Sequence, residues 1–330
     1  MAVSMEDIKK LRAMTGAGLG DVKKALEEAE GNMDRAKEIL RERGQAIAAK
    51  REARETSNGC VLVKANDKFG AIIALKCETD FVAMNADFVA LTQKIIDAAV
   101  EAQAKTLDEV KALTIDGMTI EDAVKERSGV TGEKMELDGY NILEGANIYT
   151  YDHMNRHGLC VLVQMNKVAE EQGHNLTMQV AAMNPVALDQ ASVPQSVKDS
   201  EMKIAIEKTK EEQCEKAVAA ALKKAGINPA HVDSEDHMAS NMEKGWITQE
   251  QVDQAREIKK TVSEEKLKNL PEQMIQNIAQ GRLNKFYQEN VLMEQIYEAS
   301  ENKETIAQFL ENASKGLVAT DLKRVNLNVD

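Results

Sequence analysis

Side chains suited to acid–base, nucleophilic or metal chemistry are few and scattered in this sequence. The five histidines include one close pair, His153 and His157. That pair falls in a segment with the composition of a hairpin turn, so the two rings would not share a helix face, and no third ligand stands nearby. The chain has no P-loop, GxGxxG, GxSxG or HExxH pattern. We therefore expect surface histidines, no metal or cofactor site, and a protein that is not an enzyme.

The cysteines also favour a structural interpretation. Cys60, Cys77, Cys160 and Cys214 form no CxxC pair, and the first three lie in apolar, strand-like runs. A free thiol in such a run behaves as a small hydrophobic group. We expect reduced structural thiols rather than a metal or redox centre.

One short segment offers binding rather than catalysis. Thr79-Asp80-Phe81-Val82 directly follows a buried strand and lies in a predicted loop at residues 78–86, before a helix. An aromatic ring on a loop held by a scaffold can bury a large apolar area in a partner at low entropic cost. The alternative is that Phe81 packs back on its own helix, capped by Thr79 or Asp80. The residues alone leave both interpretations open.

The first segment of the chain is a predicted unit of three short helices. Ser4 and Asp7 form a capping-box pattern, and breaks at residues 15–18 and 31–32 separate the helices. The third helix is predicted to end near Gly44. Each helix is too short to be stable alone, so the three must share one small core.

Two strand pairs follow, and each precedes a helix. Residues 60–64 and 70–77 form the first predicted hairpin, and residues 148–151 and 158–163 form the second. The repeated order of hairpin and helix indicates an internal duplication. A short strand is also predicted at residues 317–327.

The remaining long segment, about residues 194–290, has a helical pattern. Thr248 and Gln251 predict a helix cap, and Pro271 fits the first turn of a separate helix. Trp246, the only tryptophan, is predicted to anchor a turn in a local core, and a partner surface is the alternative. A helical seam is predicted from the following apolar residues: Leu267, Leu270, Met274 and Ile278.

Composition limits the class of protein. The 330 residues carry 42 basic and 55 acidic side chains, a net charge of −13, with 3% aromatic residues. This balance favours a helix-rich protein and disfavours direct nucleic-acid binding, which needs clustered basic groups. The sequence contains no membrane-span pattern, and its charged N-terminus is not typical of a signal peptide, so we expect a cytoplasmic protein. The locally basic stretch 41–54 is interpreted as a solvated linker helix, with docking to an acidic partner as the alternative.

Several segments together resemble the elongation factor Ts family. Arg12-x-x-Thr15-Gly16-Ala17-Gly18-x-x-Asp21-x-Lys23-Lys24-Ala25-Leu26 is similar to its N-terminal signature, and Thr79-Asp80-Phe81-Val82-Ala83-x-Asn85-x-x-Phe88 is similar to its second signature. Three further stretches agree in the right order, at residues 158–163, 181–185 and 281–286. Their order and spacing across nearly the whole chain make the resemblance specific.

The resemblance implies an α+β fold with four parts. These are a ubiquitin-associated-like (UBA-like) three-helix domain with a basic linker at 1–56, a core subdomain at 57–145, and a second, related subdomain at 146–330 that contains a helical coiled-coil protrusion at about 195–290. The protrusion is longer than the family usually shows, and an extra helical insertion is expected at about 211–268. The family often has a histidine where this chain has Gln179, so no role of that histidine is transferred.

The resemblance also implies a function and a partner. The chain would promote GDP release from the GTPase elongation factor Tu by displacing Mg²⁺ and disturbing the phosphate site, after which GTP rebinds. Thr79, Asp80, Phe81 and Val82 would act there, with Phe81 as the wedge. Arg12, Thr15 and Gly16 are candidate partner contacts in the N-terminal domain. A helical adaptor that binds a translation protein without exchange activity is the alternative, and it would leave the 79–82 segment without a purpose.

Overall fold

A computed structural model of the chain describes residues 3–49, 51 and 53–327. It is a mixed α+β structure, as predicted. The helices, in chain order, are α1 (Met5–Thr15), α2 (Leu19–Glu28), α3 (Met33–Ala49), α4 (Asp80–Ala83), α5 (Ala86–Ala102), α6 (Leu107–Ala112), α7 (Ile120–Thr131), α8 (Glu170–Met183), α9 (Gln195–Lys224), α10 (Glu235–Glu243), α11 (Gln249–Lys268), α12 (Glu272–Asn290) and α13 (Ile306–Ala313). The strands are β1 (Asn58–Ala65), β2 (Phe69–Cys77), β3 (Thr114–Ile115), β4 (Met118–Thr119), β5 (Glu136–Glu144), β6 (Ile148–Asp152), β7 (Leu159–Met165) and β8 (Ala319–Asn326).

The first three helices share a small core of their own, as predicted. The Ser4 hydroxyl accepts a hydrogen bond from the Asp7 N–H and caps α1, while Asn32 caps α3 through the N–H groups of Asp34 and Arg35. The predicted end of α3 near Gly44 is wrong, because the helix continues to Ala49. Gly44 is a buried packing position against α7 rather than a stop signal.

Both predicted hairpins are present as antiparallel pairs, β1 with β2 and β6 with β7. The side chains of β2 alternate between two apolar clusters, which explains why nearly all of this strand is buried. Ile73 and Leu75 face α5 and α7, whereas Ile72 and Ala74 pack toward Leu162 of β7. The two sheets therefore pack face to face, with helices on the outer side of the first sheet.

The duplication extends further than the hairpins and helices. In each half a third strand pairs with the second hairpin strand, giving the orders β1-β2-β5 and β6-β7-β8. The pairing of β7 with β8 confirms the predicted terminal strand, whereas β5, α6, α7 and the short β3–β4 pair were not predicted. The segment between α5 and β5 carries α7, which packs on α3 and is central to the site described below.

The chain divides into two compact units, residues 1–188 with 296–330, and residues 189–295. In the second unit α9 packs against both α11 and α12. The predicted Thr248–Gln251 capping box is present at the start of α11. Pro271 stands immediately before α12, so the separate helix predicted there is confirmed. An apical core is formed by residues from α9 to α11: Leu222, Ile227, Val232, Met238, Ile247, Val252 and Ala255.

Two predictions for this unit are wrong. The seam from Leu267 to Ile278 does not exist as one helix face, because Pro271 separates α11 from α12 and Leu267 is 50% exposed. The buried positions of α12 are instead Ile275, Ala279, Leu283 and Tyr287. Trp246 is 60% exposed and lies outside the apical core, which its neighbour Ile247 enters instead.

The predicted domain boundaries at residues 56/57 and 145/146, and the insertion at about 211–268, stay predictions. Helix α9 runs through residue 211 without interruption, so the start of the expected insertion lies inside one helix. Among the helices of the described residues, none is both long and apolar enough to cross a membrane.

Candidate partner-binding site

The Thr79–Val82 segment is a one-turn helix rather than the predicted open loop. Thr79 has extended backbone angles, and its hydroxyl accepts a hydrogen bond from the Val82 N–H at 3.4 Å, so it caps α4. Asn85 then caps α5 through the Asp87 N–H at 3.0 Å. Two caps within seven residues stop and restart the helix, which turns the chain sharply at the end of β2.

This turn projects Phe81 away from the protein. The Phe81 side chain is 81% exposed, and Asp80 is also exposed, while Val82 is half-buried and packs on the core of the first sheet. The two interpretations of Phe81 are thereby separated: Thr79 does cap the helix, but the ring does not pack back on it. An exposed phenylalanine on an anchored turn is the arrangement expected of an interface anchor.

The base of the turn is held by two carboxylates. Glu133, in the loop after α7, accepts hydrogen bonds from the Glu78 N–H at 3.1 Å, the Thr79 N–H at 3.0 Å and the Thr79 hydroxyl at 2.6 Å. Glu78 in return accepts from the Lys134 N–H at 2.6 Å and from Arg54 at 3.1 Å. The Lys134 N–H, with a further contribution from Arg54, holds the pKa of Glu78 below its usual range.

Among the N-terminal candidates, Gly16 lies beside helix α7. Thr15 donates its hydroxyl proton to the Leu11 carbonyl at 2.7 Å, and Gly16 ends α1 with a φ of 67°. A Cβ on Gly16 would stand 3.9 Å from Arg127 Nη1 of α7. Arg127 also donates from Nη2 to Asn85 Oδ1 at 2.8 Å. Helix α7 thus lies beside Gly16 and also holds Asn85, which follows the 79–82 segment, while Arg12 is exposed near the end of α1.

The basic stretch 41–54 is only partly a solvated helix. Arg41 pairs with Asp122 of α7 at 3.3 Å, Arg43 with Glu28 at 2.5 Å, and Arg54 with Glu78 at 3.1 Å. Lys50 and Glu52, which belong to the predicted stretch, lie outside the described residues. Arg41 and Arg54 therefore join the third helix and the linker to the core subdomain, whereas Arg43 ties α3 to α2 within the N-terminal unit.

Other candidate centres have structural surroundings. The four cysteines are free and buried, as predicted. Burial, and next the Glu133 carboxylate, raises the pKa of Cys77 to about 12. His157 Nδ1 lies 2.5 Å from Asp152 in the turn of the second hairpin. Within residues 3–49, 51 and 53–327, no group of three histidine, cysteine or acidic side chains is placed to hold a metal.

Gln179 has a structural position that explains its polar side chain. It is buried in α8, where its amide donates to the Ile296 carbonyl at 3.1 Å and its oxygen accepts from the Glu298 N–H at 3.0 Å. The side chain therefore fastens the segment before α13 to α8.

Two residues of the site were missed by sequence reasoning, Glu133 and Arg127. They are 54 and 42 residues away from their partners Thr79 and Asn85. Neither stands in a local pattern that distinguishes it from an ordinary surface charge. Only the packing of α7 beside the end of β2 reveals them.

Comparison with known proteins gives the same family along the chain. The family model described as elongation factor TS matches residues 78–228 and 213–328. The elongation factor Ts of Bacteroides fragilis is 60% identical over 331 residues, that of Phocaeicola vulgatus 58% over 330, and that of Porphyromonas gingivalis 39% over 332. Each alignment covers 100% of this chain and 100% of the relative. The chain belongs to the elongation factor Ts family.

Proposed function

We propose that this chain is a guanine nucleotide exchange factor for elongation factor Tu, and that Phe81 is the side chain that drives GDP release. Membership of the elongation factor Ts family supports the exchange role. The observation that carries the assignment to Phe81 is its exposure of 81% on a turn whose base is held by Glu133 and Glu78. A large apolar group held in water has an unfavourable hydration that binding to a partner relieves.

The proposed mechanism requires no covalent step by this chain. Phe81 inserts beside the Mg²⁺ and phosphate site of the GTPase, and Asp80 makes polar contacts at the edge of the wedge. Mg²⁺ demands near-ideal octahedral geometry, so a small shift of its surroundings weakens both metal and diphosphate binding. By linkage, a factor that binds the nucleotide-free GTPase more tightly than the GDP-bound form loosens GDP by the same ratio. A coupling of roughly 3 kcal/mol corresponds to a change of about two orders of magnitude in affinity.

The other parts of the first unit would position the wedge. Arg12, Thr15 and Gly16 would present a second contact to the nucleotide-binding domain of the GTPase, and Gly16 lies beside the same α7 whose Arg127 holds Asn85 next to the turn. The second sheet with α8 would reach another domain of the partner. Binding at more than one place lets the energy of remote contacts offset the cost of disturbing the Mg²⁺ site.

The test is release of a fluorescent GDP analogue from the cognate elongation factor Tu, at low and high Mg²⁺. The parent protein should accelerate release at substoichiometric concentration. Phe81→Ala should lower the maximum release rate by roughly tenfold or more, the scale of losing a buried aromatic anchor, because the wedge is absent. Its thermal unfolding should match the parent, since the ring makes little contact with its own protein.

The matched control is Trp246→Ala, which removes another exposed aromatic ring, in the other compact unit. With this variant, elongation factor Tu should release GDP at the rate measured with the parent protein. An unchanged rate in Phe81→Ala would remove the wedge assignment. Binding by the parent without any acceleration would favour the adaptor function instead.

A further inference from the structure

The turn that carries Phe81 packs on the core only through the half-buried Val82 and Ala83. Helix α4 has only four residues and none of them is buried. Its internal hydrogen bonds are few, for example Met84 N–H to the Asp80 carbonyl at 2.9 Å. A helix this short is unstable by itself, so its direction must be set from outside. A wedge whose direction fluctuates would lose much of its effect, because binding would have to order it first.

The hydrogen bonds that reach α4 itself from outside come from one carboxylate, that of Glu133, through Thr79. Both oxygens of Glu133 are engaged, Oε2 by the Glu78 and Thr79 N–H groups and Oε1 by the Thr79 hydroxyl at 2.6 Å. The same hydroxyl oxygen accepts from the Val82 N–H, so Glu133, Thr79 and Val82 form a continuous chain of hydrogen bonds into α4. Hydrogen bonds to an ionised carboxylate are stronger than neutral ones.

Glu133 is itself held on the core side. Its carbonyl accepts from the Ser128 hydroxyl at 2.5 Å, and its N–H donates to the Thr131 hydroxyl at 3.3 Å. Gly132, with a φ of 80°, ends α7 immediately before it and turns the chain toward β2. The carboxylate thus extends from the end of a packed helix rather than from a free loop.

We propose that Glu133 is a positioning residue for nucleotide release, which fixes Thr79 and thereby the direction in which α4 presents Phe81. This inference rests on the proposed function, since it assigns how the wedge is oriented. Glu133 acts through Thr79 and needs no contact with the GTPase. Its removal should therefore lower the rate of release from the bound complex more than it weakens binding.

The test is Glu133→Ala in the full chain, assayed by release of the fluorescent GDP analogue over a range of factor concentrations. The maximum release rate should fall about tenfold to hundredfold, the cost of misplacing an active group by about 1 Å. The half-saturating concentration should change much less, because the other contacts are intact. Glu133→Gln should restore most of the rate, since an amide oxygen can accept from both N–H groups and its NH₂ can donate to Thr79 Oγ1.

Glu109→Ala is the matched control. Glu109 also accepts a backbone N–H, that of Lys105 at 2.6 Å, in the same subdomain but away from the turn. It should keep the parent maximum rate. In a Thr79→Val background the further effect of Glu133→Ala should be smaller, because the coupled hydroxyl is already gone.

The outcomes separate the two proposals. If Glu133→Ala releases GDP at the parent maximum rate, or if Glu109→Ala lowers the rate as much, the positioning role is wrong while the exchange function stands. If the Glu133→Ala loss appears only in the half-saturating concentration, Glu133 contributes to binding and not to the direction of the wedge. If the parent protein gives no acceleration, the proposed function itself fails.

Discussion

At the scale of single residues, the site combines the exposed Phe81 ring with a part-buried set of charge-assisted hydrogen bonds. The Phe81 ring contributes little to the folding stability of its own protein, because it stays in water. Next to it, Glu133 and Glu78 accept hydrogen bonds from backbone N–H groups around the end of β2, and these bonds stabilise the fold. Function and stability are therefore assigned to neighbouring but different side chains, and substitutions can separate them.

The pH dependence of stability should reveal Glu78. Because the folded state holds its pKa below the unfolded value of about 4.3, the carboxylate stabilises the fold above that value, and this contribution is lost as the pH falls through the folded pKa. Glu78→Gln should lower Tm at pH 7 by roughly 2–4 °C, taking about 1 kcal/mol for a partly exposed group. Thermal unfolding at pH 7 and at pH 4 measures the difference, which should shrink at the lower pH. A difference that grows at pH 4 would contradict the assignment.

At the scale of elements, the sequence predicts the helix caps and hairpins, because these depend on residues that are close together in the chain. Ser4 and Thr248 cap their helices because a hydroxyl three residues before a backbone N–H needs no distant partner. Apolar runs on either side of a turn likewise predicted both hairpins. Strand β5 was missed because its pairing of Phe69 with Glu144 joins residues far apart in the chain, and no local signal encodes that register.

The same limit explains why the site was only partly predicted. The 79–85 segment was identified from Phe81 and the family signature, yet its support by Glu133 depends on where α7 ends. The continuation of α3 past Gly44 is a further example. Glycine is a stop signal in a sequence pattern, but here it permits close helix packing.

The crossing of α3 and α7 at Gly44 and Gly129 gives an asymmetric prediction. A Cβ on Gly129 would stand 2.4 Å from Gly44 Cα, a backbone clash, whereas a Cβ on Gly44 would stand 3.5 Å from Gly129 Cα, an ordinary contact. Gly129→Ala should destabilise the fold by about 1–3 kcal/mol through overpacking. Gly44→Ala should be neutral or stabilise it by up to about 1 kcal/mol through helix propensity. Urea unfolding of both variants is the measurement, and equal effects would show that the crossing is not close-packed.

At the scale of the whole molecule, the candidate site and the long helices belong to different compact units. Residues 79–82, Glu133 and the N-terminal candidates all lie in the unit formed by 1–188 and 296–330. The second unit has its own apical core, centred on Met238 and Val252, and carries the exposed Trp246. Separate cores allow local unfolding of one part while the other stays folded. Nucleotide release should therefore tolerate damage to the apical core.

Met238→Ala tests this separation. The side chain is buried in the apical core, so its truncation should cost about 2–5 kcal/mol of local stability. Amide hydrogen exchange should accelerate in α10 and the first turns of α11, while protection in β1 and β2 and the rate of GDP release stay at parent values. Met242→Ala, half-buried on the same helix, is the graded control and should show a smaller loss of protection. Loss of exchange activity in Met238→Ala, with β1 and β2 still protected, would mean that the second unit takes part in nucleotide release, and the assignment of that activity to the first unit alone would have to be abandoned.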